Sequence, residues 1–303
     1  MDKKKIITFV FVLLFYFVYT FWGDELGFVE PDTQNKIIDT NVLEVLPVGD
    51  LRIHYLDVGQ ADSILIENNG KYMLIDAGNN ADGNKLVDYF ENLGIQSFDY
   101  VVATHAHEDH IGGMDDVINN FDVNVFYMPD VVTTTKTFED VITSLENNNL
   151  MYDVPNIGDK FSFEGCNFTV LSIGDDDSDL NDTSIVLRLV YGNNKFLFMG
   201  DATSNVEEDI LKLGVDISSD VLKVGHHGSE YSSMLSFLNN VKPKYSIISV
   251  GDDNSYGHPH DKALNNLNKV GSKVYKTNVD GTIIVDSDGN NIRVSSKNIN
   301  LNG

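Results

Sequence analysis

The sequence predicts an α/β domain built from two mixed β-sheets with helices on their outer faces. Short apolar segments typical of strands alternate with segments of helical spacing from residue 51 to residue 295. The predicted elements begin with consecutive strands and continue with alternating strands and helices, and this pattern recurs in the second half of the chain. No Pro-, Gly- or Ser-rich linker interrupts the region, so we expect residues 51–303 to form one domain.

The first half opens on a predicted hairpin. Asn68-Asn69-Gly70 is a turn sequence between two alternating apolar segments. Leu86, Phe90 and Leu93 keep helical spacing, and Gly94 ends that helix. We predict strands at 51–58, 62–67, 71–75, 100–103 and 125–128, and helices at 86–93, 114–118 and 138–145.

The second half repeats this alternation. Gly192-Asn193-Asn194 and Asp288-Gly289 predict two further turns between paired strands. Gly214 and Gly271 end two of the predicted helices. We predict strands at 166–172, 184–190, 195–199, 221–224, 245–250, 274–277, 282–286 and 292–295, and helices at 206–213, 231–238 and 262–270.

The N-terminus predicts a membrane helix. Three lysines at 3–5 precede an uncharged, almost wholly apolar run over 6–22, which as a helix rises roughly 25 Å and is just long enough to span a bilayer. The lysines before it place the N-terminus inside. Without an Ala-x-Ala cleavage sequence we favour an uncleaved signal anchor at 1–23 over a cleaved signal peptide. Residues 24–50 are a linker, which leaves the domain membrane-anchored or secreted and extracytoplasmic.

Composition restricts the function classes. The chain has 46 acidic against 21 basic residues, a formal net charge of −25, so strong nucleic-acid binding is not expected. Its single cysteine, Cys166, excludes an internal disulfide and a thiolate metal cluster. Any metal site must therefore use His, Asp and Glu side chains.

One short segment concentrates metal-binding residue types. His105, His107, Asp109 and His110 fall within six residues directly after the predicted strand 100–103. In a loop that leaves a strand, alternate side chains can turn to opposite sides. His105 and His107 can then face one ion, while Asp109 and His110 face a second ion. Imidazole and carboxylate suit a borderline divalent ion such as zinc.

Several motifs carry a family resemblance. HAHEDH at 105–110 resembles the HxHxDH signature of the metallo-β-lactamase superfamily. LDVGQADS at 56–63 resembles the opening motif of ComEC-like hydrolases, the external hydrolase domain attached to DNA-uptake channels, although Ala61 stands where relatives usually have glycine. LIDAG at 74–78 resembles the next strand-end motif. The resemblance covers about residues 51–295 and implies a four-layer αββα sandwich.

The resemblance also implies two divalent metal ions, zinc first and manganese as the alternative. Asp201, in a FMGD segment, would bridge the ions. The KVGHHGS segment would supply one ligand, for which we choose His227 over His226, leaving His226 to face the substrate. The implied ligand set is His105, His107, Asp109, His110, Asp201 and His227.

Other positions are assigned on the same basis. Asp76 would support the metal loop through a hydrogen bond, with a simple turn acid as the alternative. His258, in NSYGHP, would contact the leaving group or a phosphate oxygen, unless it is a surface histidine. His54 and His260 are expected to be structural.

The sequence departs from the superfamily at one ligand. Many members place a third histidine for the first ion before the bridging aspartate, but no histidine lies between His110 and His226. The corresponding place is near residues 181–184. We therefore expect the first ion to have a more open coordination shell, completed by waters and by groups near Asn181.

The implied activity is hydrolysis by a hydroxide that bridges the two ions. Asp109 would orient the hydroxide, and His226 or His258 would bind a phosphate oxygen or protonate the leaving group. We favour a monomeric phosphodiesterase. Its extracytoplasmic location fits extracellular DNA or phosphodiesters of the cell envelope, and the charge of −25, which argues against tight DNA binding, gives a small or headgroup-type phosphodiester equal weight. The alternatives are a hydrolase of lactones, thioesters or β-lactams, and a non-catalytic metal-binding surface protein.

Overall fold

The computed structural model describes residues 51–174, 179–252, 254–297, 299 and 301. All of them belong to one compact unit, Pro47–Gly303. The predicted signal anchor and linker lie outside the described residues. Within those residues, no helix has the length and apolar character needed to cross a membrane.

The secondary structure follows the predicted alternation. In the described residues the strands are β1 Leu51–Tyr55, β2 Ser63–Asn68, β3 Lys71–Ala77, β4 Ser97–Val102, β5 Asp122–Tyr127, β6 Tyr152–Asp153, β7 Lys160–Phe163, β8 Cys166–Ser172, β9 Val186–Tyr191, β10 Asn194–Phe198, β11 Val221–Lys223, β12 Tyr245–Ile248, β13 Lys273–Lys276, β14 Thr282–Ser287 and β15 Ile292–Lys297. The helices are α1 Gly83–Asn92, α2 Glu108–Ile111, α3 Met114–Asn120, α4 Lys136–Asn147, α5 Ser204–Lys212, α6 Leu235–Val241, α7 Asp261–Lys269 and α8 Thr277–Asp280. Leu180–Thr183 and Gly225–Gly228 form short 3-10 turns.

The strands of the described residues form two mixed sheets, as predicted. The first has the order β15-β14-β1-β2-β3-β4-β5-β6 and is parallel from β3 to β6. The second has the order β13-β12-β11-β10-β9-β8-β7 and is parallel from β13 to β10. The remaining pairs in both sheets are antiparallel.

Apolar packing divides the unit into four layers. Side chains of both sheets share one core, in which Tyr55 of the first sheet stacks on Phe198 of the second. Helices α1, α3 and α4 cover the other face of the first sheet, with Phe90 among the buried residues. Helices α5, α6 and α7 cover the second sheet, with Phe237 buried there. The αββα sandwich is confirmed.

Several elements differ from the predictions or were not predicted. The helix expected at 231–238 begins only at Leu235, because Ser233 is left-handed (φ 61°) and its N–H is bound by the Glu207 carboxylate. The strand expected to reach Thr277 ends one residue earlier, where α8 begins. Strand β7 was missed because it has only four residues, so its alternation of two polar residues with Phe161 and Phe163 is a weak signal.

The loops that carry the predicted site residues are positioned by strand ends and by one closely packed glycine, Gly112. Most predicted site residues lie at or just after the carboxyl ends of parallel strands β3, β4, β10 and β11, which bring their loops together, and His258 lies in the loop after β12. Gly112, just after the histidine loop, has an ordinary helical φ of −59°. A Cβ there would lie 2.2 Å from backbone atoms of both Asn79 and Asn80. Only a glycine allows these two loops to pack.

We therefore predict that Gly112→Ala destabilises the domain through this backbone contact alone. Gly271→Ala is the matched control, because Gly271 has φ +76° and no atom within 4 Å of its would-be Cβ. The control should lose about 1–2 kcal/mol, the usual cost of a left-handed residue. Urea unfolding should show a larger loss for Gly112→Ala, and an equal or smaller loss would contradict the packing argument.

Candidate metal centre

Four predicted ligands meet at the edge of the sandwich. Ligand atoms of Asp109, His110, Asp201 and His227 all lie within 4.8 Å of one another. His110 Nε2 is 3.3 Å from Asp201 Oδ1, and His227 Nε2 is 3.3 Å from Asp109 Oδ2 and 3.5 Å from Asp201 Oδ2. Asp201 therefore lies between two imidazoles, with one oxygen toward each. We call these four residues the Asp201 cluster.

The other two predicted ligands lie beside this cluster. His105 Nε2 and His107 Nδ1 are 3.0 Å apart. The ring of His105 also lies 4.1 Å from that of His110, between centroids. His105 is fully buried, whereas His107 lines an open cleft. The structure thus brings all six predicted ligands into one small region.

The cluster meets the requirements of a divalent cation. His110 Nε2, Asp201 Oδ1 and His227 Nε2 are buried and make no hydrogen bond to any described residue. Buried polar atoms are almost always paired, so three such atoms around one point indicate a missing partner common to all of them. Imidazole nitrogen with carboxylate oxygen is a donor set that suits zinc and manganese. The residues present fit the metal that the sequence motifs imply.

The electrostatics favour positive charge among these carboxylates. Burial lowers the pKa of His105 well below its usual value, so its imidazole is neutral. Burial also opposes charging of His110, but Asp201 and Asp76 outweigh it and raise the His110 pKa well above its usual value. Burial would raise the pKa of Asp201, yet His227 and His110 hold it well below normal. The carboxylate is thus ionised and attracts a cation.

Hydrogen bonds fix the orientation of the two central imidazoles. Asp76 Oδ2 accepts from His110 Nδ1 at 2.8 Å, which directs Nε2 toward the cluster. The Thr104 N–H and hydroxyl donate to the same carboxylate at 2.8 and 2.7 Å. His227 Nδ1 donates to the Ser249 carbonyl at 2.9 Å. Such partners hold a metal-binding histidine in one tautomer, and Asp76 lies where its predicted supporting role requires.

Sequence reasoning missed a buried ion pair next to the cluster. Lys223 Nζ lies 2.6 Å from Asp62 Oδ2, and both side chains are at most 1% exposed. Asp62 Oδ1 lies 3.6 Å from His227 Nδ1, and the Asp62 N–H donates to the Asp109 carbonyl. Because Asp62 precedes β2 and Lys223 ends β11, the pair links the two sheets. A signal was present: each is an ionisable residue inside an apolar strand-end motif.

Three residues of the cluster, Asp109, Asp201 and His227, form the floor of a cleft of about 580 Å³. His226 lines it, half-buried, with Nε2 3.9 Å from Asp201 Oδ2. His258 also lines it, with its ring 5.4 Å from that of His226. The described lining residues are Gln60, Asn79, His107, Glu108, Asp109, Asn181, Asp201, His226, His227, Asn254, Ser255, Tyr256 and His258. The two histidines expected to face the substrate are therefore both in the cleft.

The remaining sequence predictions also have defined places. Asn181, near which we expected help for the first ion, lines the cleft, and its buried Oδ1 makes no hydrogen bond to any described residue. His54 is buried in β1 and hydrogen-bonded to Tyr89. His260 accepts a hydrogen bond from the Glu230 N–H and is outside the cleft lining.

The fold and these residues agree with a family match. A model of the metallo-beta-lactamase superfamily matches residues 56–252. The chain belongs to the metallo-β-lactamase superfamily. The family match and the candidate ligand cluster together support a metal-dependent hydrolase.

Curated relatives confirm the ComEC-like resemblance. ComE operon protein 3 of Bacillus subtilis is 30% identical over 76% of this chain and 32% of its own length. Competence protein ComA of Neisseria gonorrhoeae is 28% identical over 79% of this chain and 33% of its length. Recombination protein 2 of Haemophilus influenzae is 28% identical over 78% of this chain and 29% of its own length. The chain spans about a third of the length of these relatives.

Solved structures share the fold. YhfI of Bacillus subtilis, described as a metallo-beta-lactamase fold protein, has a TM-score of 0.53 at 13% identity and covers 78% of this chain and all of its own. CmlA of Streptomyces venezuelae, described as a diiron beta-hydroxylase, has a TM-score of 0.50 at 13% identity and covers 83% of this chain and 55% of its own. At this identity, the likeness concerns the fold alone.

The buried ion pair yields a stability prediction. Lys223→Met leaves the Asp62 carboxylate buried without its cation, which typically costs about 3–5 kcal/mol. Lys244→Met is the control, because Lys244 pairs with Asp220 at 2.8 Å but is 70% exposed, where such pairs contribute little. Urea unfolding should separate the two variants, and Asp62→Asn combined with Lys223→Met should recover part of the loss. Equal losses at the two lysines would contradict a buried pair.

Proposed function

We propose that this protein is a phosphodiesterase that depends on two divalent ions, with zinc first and manganese as the alternative. The observation that carries the proposal is the set of unpaired buried atoms of the Asp201 cluster at the floor of an open cleft. The cleft gives a small substrate access to that floor. The formal charge of −25 disfavours long polyanions and supports a small or headgroup-type phosphodiester.

The proposed ligand roles follow the contacts. His105 and His107 would hold the first ion and Asp109, His110 and His227 the second, with Asp201 shared because its two oxygens face different imidazoles. When bound, such ions lower the pKa of a water and neutralise charge on a phosphate oxygen. We choose His227 over His226 as ligand because His227 is buried and nearer to Asp201.

Three residues of the cleft would act on the substrate. Asp109 is the partly exposed carboxylate of the cluster, and it would orient the attacking water. Burial, and then the charges of His227 and His226, lower the pKa of His258 to about 4. A neutral His258 would donate a hydrogen bond to a phosphate oxygen. His226, whose pKa is also lowered by burial, lies beside His258 in the cleft and would contact the substrate next to it.

We also propose the chain's organisation and location. A membrane helix at 1–23 and a linker at 24–50 would hold the hydrolase domain, 51–303, outside the cytoplasm as a monomer. The support is the basic residues before the apolar run of the sequence. Two of the relatives are named for competence and recombination.

The same site would also fit two other functions, and one comparison of substrates distinguishes them from the proposed one. The cluster would equally serve hydrolysis of a lactone, thioester or β-lactam, because a carbonyl also needs an activated water. A metal-binding protein without catalysis would bind ions and turn over none of these substrates. Comparing bis-p-nitrophenyl phosphate with a chromogenic β-lactam separates the three.

We predict that protein loaded with zinc or manganese hydrolyses bis-p-nitrophenyl phosphate faster than the β-lactam. Asp201→Asn should lower that rate by at least about 100-fold, the usual cost of losing a charge-stabilising group, and should reduce bound metal in elemental analysis. Asp209→Asn, an exposed acid 72% accessible in α5, is the control and should change neither. Full activity and metal content in Asp201→Asn would overturn the ligand assignment.

A second prediction separates substrate contact from metal binding. His258→Ala should keep the metal content and slow hydrolysis by about 10- to 100-fold, a typical loss for a removed substrate-positioning group. Tyr231→Ala is the control, since Tyr231 is 65% exposed and lies outside the cleft lining. Loss of metal in His258→Ala would instead make His258 a ligand.

A further inference from the structure

An exposed aromatic ring stands at the rim of the cleft. Tyr256 lines the cleft and is 66% exposed. Its ring is stacked on His258, with 5.6 Å between centroids and 20° between planes. His258 is in turn near-parallel to His227, at 6.3 Å and 25°. The three rings form a column that runs from the Asp201 cluster to the surface and ends in Tyr256.

The loop that carries Tyr256 is held in place by one side chain. Asn254 Nδ2 donates to the Gly251 and His258 carbonyls, both at 2.8 Å. Asn254 Oδ1 accepts from the His258 N–H, also at 2.8 Å. An aromatic ring on a loop closed in this way is pre-organised, so binding to it loses little conformational freedom.

The cleft offers a phosphodiester few other sources of affinity. Its described lining residues include no lysine or arginine, and Glu108 and Asp109 add negative charge. Apart from bound metal ions, attraction to the substrate must come from uncharged contacts. The neutral amides of Gln60, Asn79 and Asn181 provide hydrogen bonds, and Tyr256 provides an aromatic face.

We propose that Tyr256 is a specificity residue that stacks on a planar ring carried by the phosphodiester substrate. The inference rests on the proposed function and names the substrate class of the same cleft: phosphodiesters with a planar ring near the phosphate. A nucleobase and a simple aryl group share this chemistry. Stacking of a base on an aromatic side chain favours binding by about 5- to 100-fold.

The test measures binding, so it is separate from turnover. Calorimetry on the metal-loaded full chain compares thymidine 5′-monophosphate, phenyl phosphate and deoxyribose 5-phosphate, the last of which lacks a ring. The wild type should bind at least one ring-bearing ligand about 5- to 100-fold more tightly than deoxyribose 5-phosphate. Preference for the nucleotide alone identifies a nucleobase, and preference for both identifies any planar ring.

Variants of Tyr256 then assign the preference to its ring. Tyr256→Phe should keep the preference, and Tyr256→Ala should abolish it. Tyr231→Ala is the matched control, because Tyr231 is 65% exposed and lies outside the cleft lining. With thymidine 5′-(p-nitrophenyl phosphate), Tyr256→Ala should raise KM more than it lowers kcat, whereas a disturbed His258 would lower kcat.

Two results would overturn the inference. Either the wild type binds ring-bearing ligands no more tightly than deoxyribose 5-phosphate, or Tyr256→Ala keeps the full preference. Hydrolysis of bis-p-nitrophenyl phosphate by the wild type tests the proposed function independently. An active enzyme without ring preference therefore contradicts only the role of Tyr256, and ring preference without hydrolysis contradicts only the reaction.

Discussion

The arrangement of the site depends on one buried carboxylate. Asp201 is 2% exposed, and its two oxygens lie 3.3 Å from His110 Nε2 and 3.5 Å from His227 Nε2. A carboxylate at such a depth needs compensating positive charge, because its desolvation is expensive. Protonated imidazoles or divalent cations can supply that charge, and a divalent cation would also bind the buried nitrogen and oxygen atoms that make no hydrogen bond there. This requirement explains why so many imidazoles and carboxylates are gathered here.

The sandwich meets this requirement by using strand ends from both sheets. The first sheet supplies Asp76 and the loop with His105–His110, and the second supplies Asp201 and His227. The Asp62–Lys223 pair links the sheets beside the cluster, so the two halves are held in register where the ligands meet. Substrate contacts, in contrast, come from the loop of Tyr256 and His258, which is closed by Asn254. The strand ends therefore hold the candidate metal ligands, whereas a separate loop carries the residues proposed to contact the substrate.

Sequence reasoning succeeded where the signal is local. Two mixed sheets followed from apolar alternation, and the candidate ligands of 105–110 followed from residue types within six positions. It could not derive a choice between His226 and His227, because both residues adopt left-handed backbone angles that reverse the usual direction of side chains along a strand end. It missed the Asp62–Lys223 pair because that contact joins distant segments. It started the predicted helix 231–238 four residues too early, because the pattern cannot show that the Glu207 carboxylate binds the backbone at Ser233 and Met234.

The central claim is that the Asp201 cluster and its neighbouring histidines hold divalent cations. Anomalous diffraction at the zinc and manganese absorption edges, from crystals of metal-loaded protein, tests it most directly. The account predicts two anomalous peaks, one among Asp109, His110, Asp201 and His227 and one beside His105 and His107. Well-ordered side chains with no anomalous density at either position, in protein shown to be saturated with metal, would contradict it.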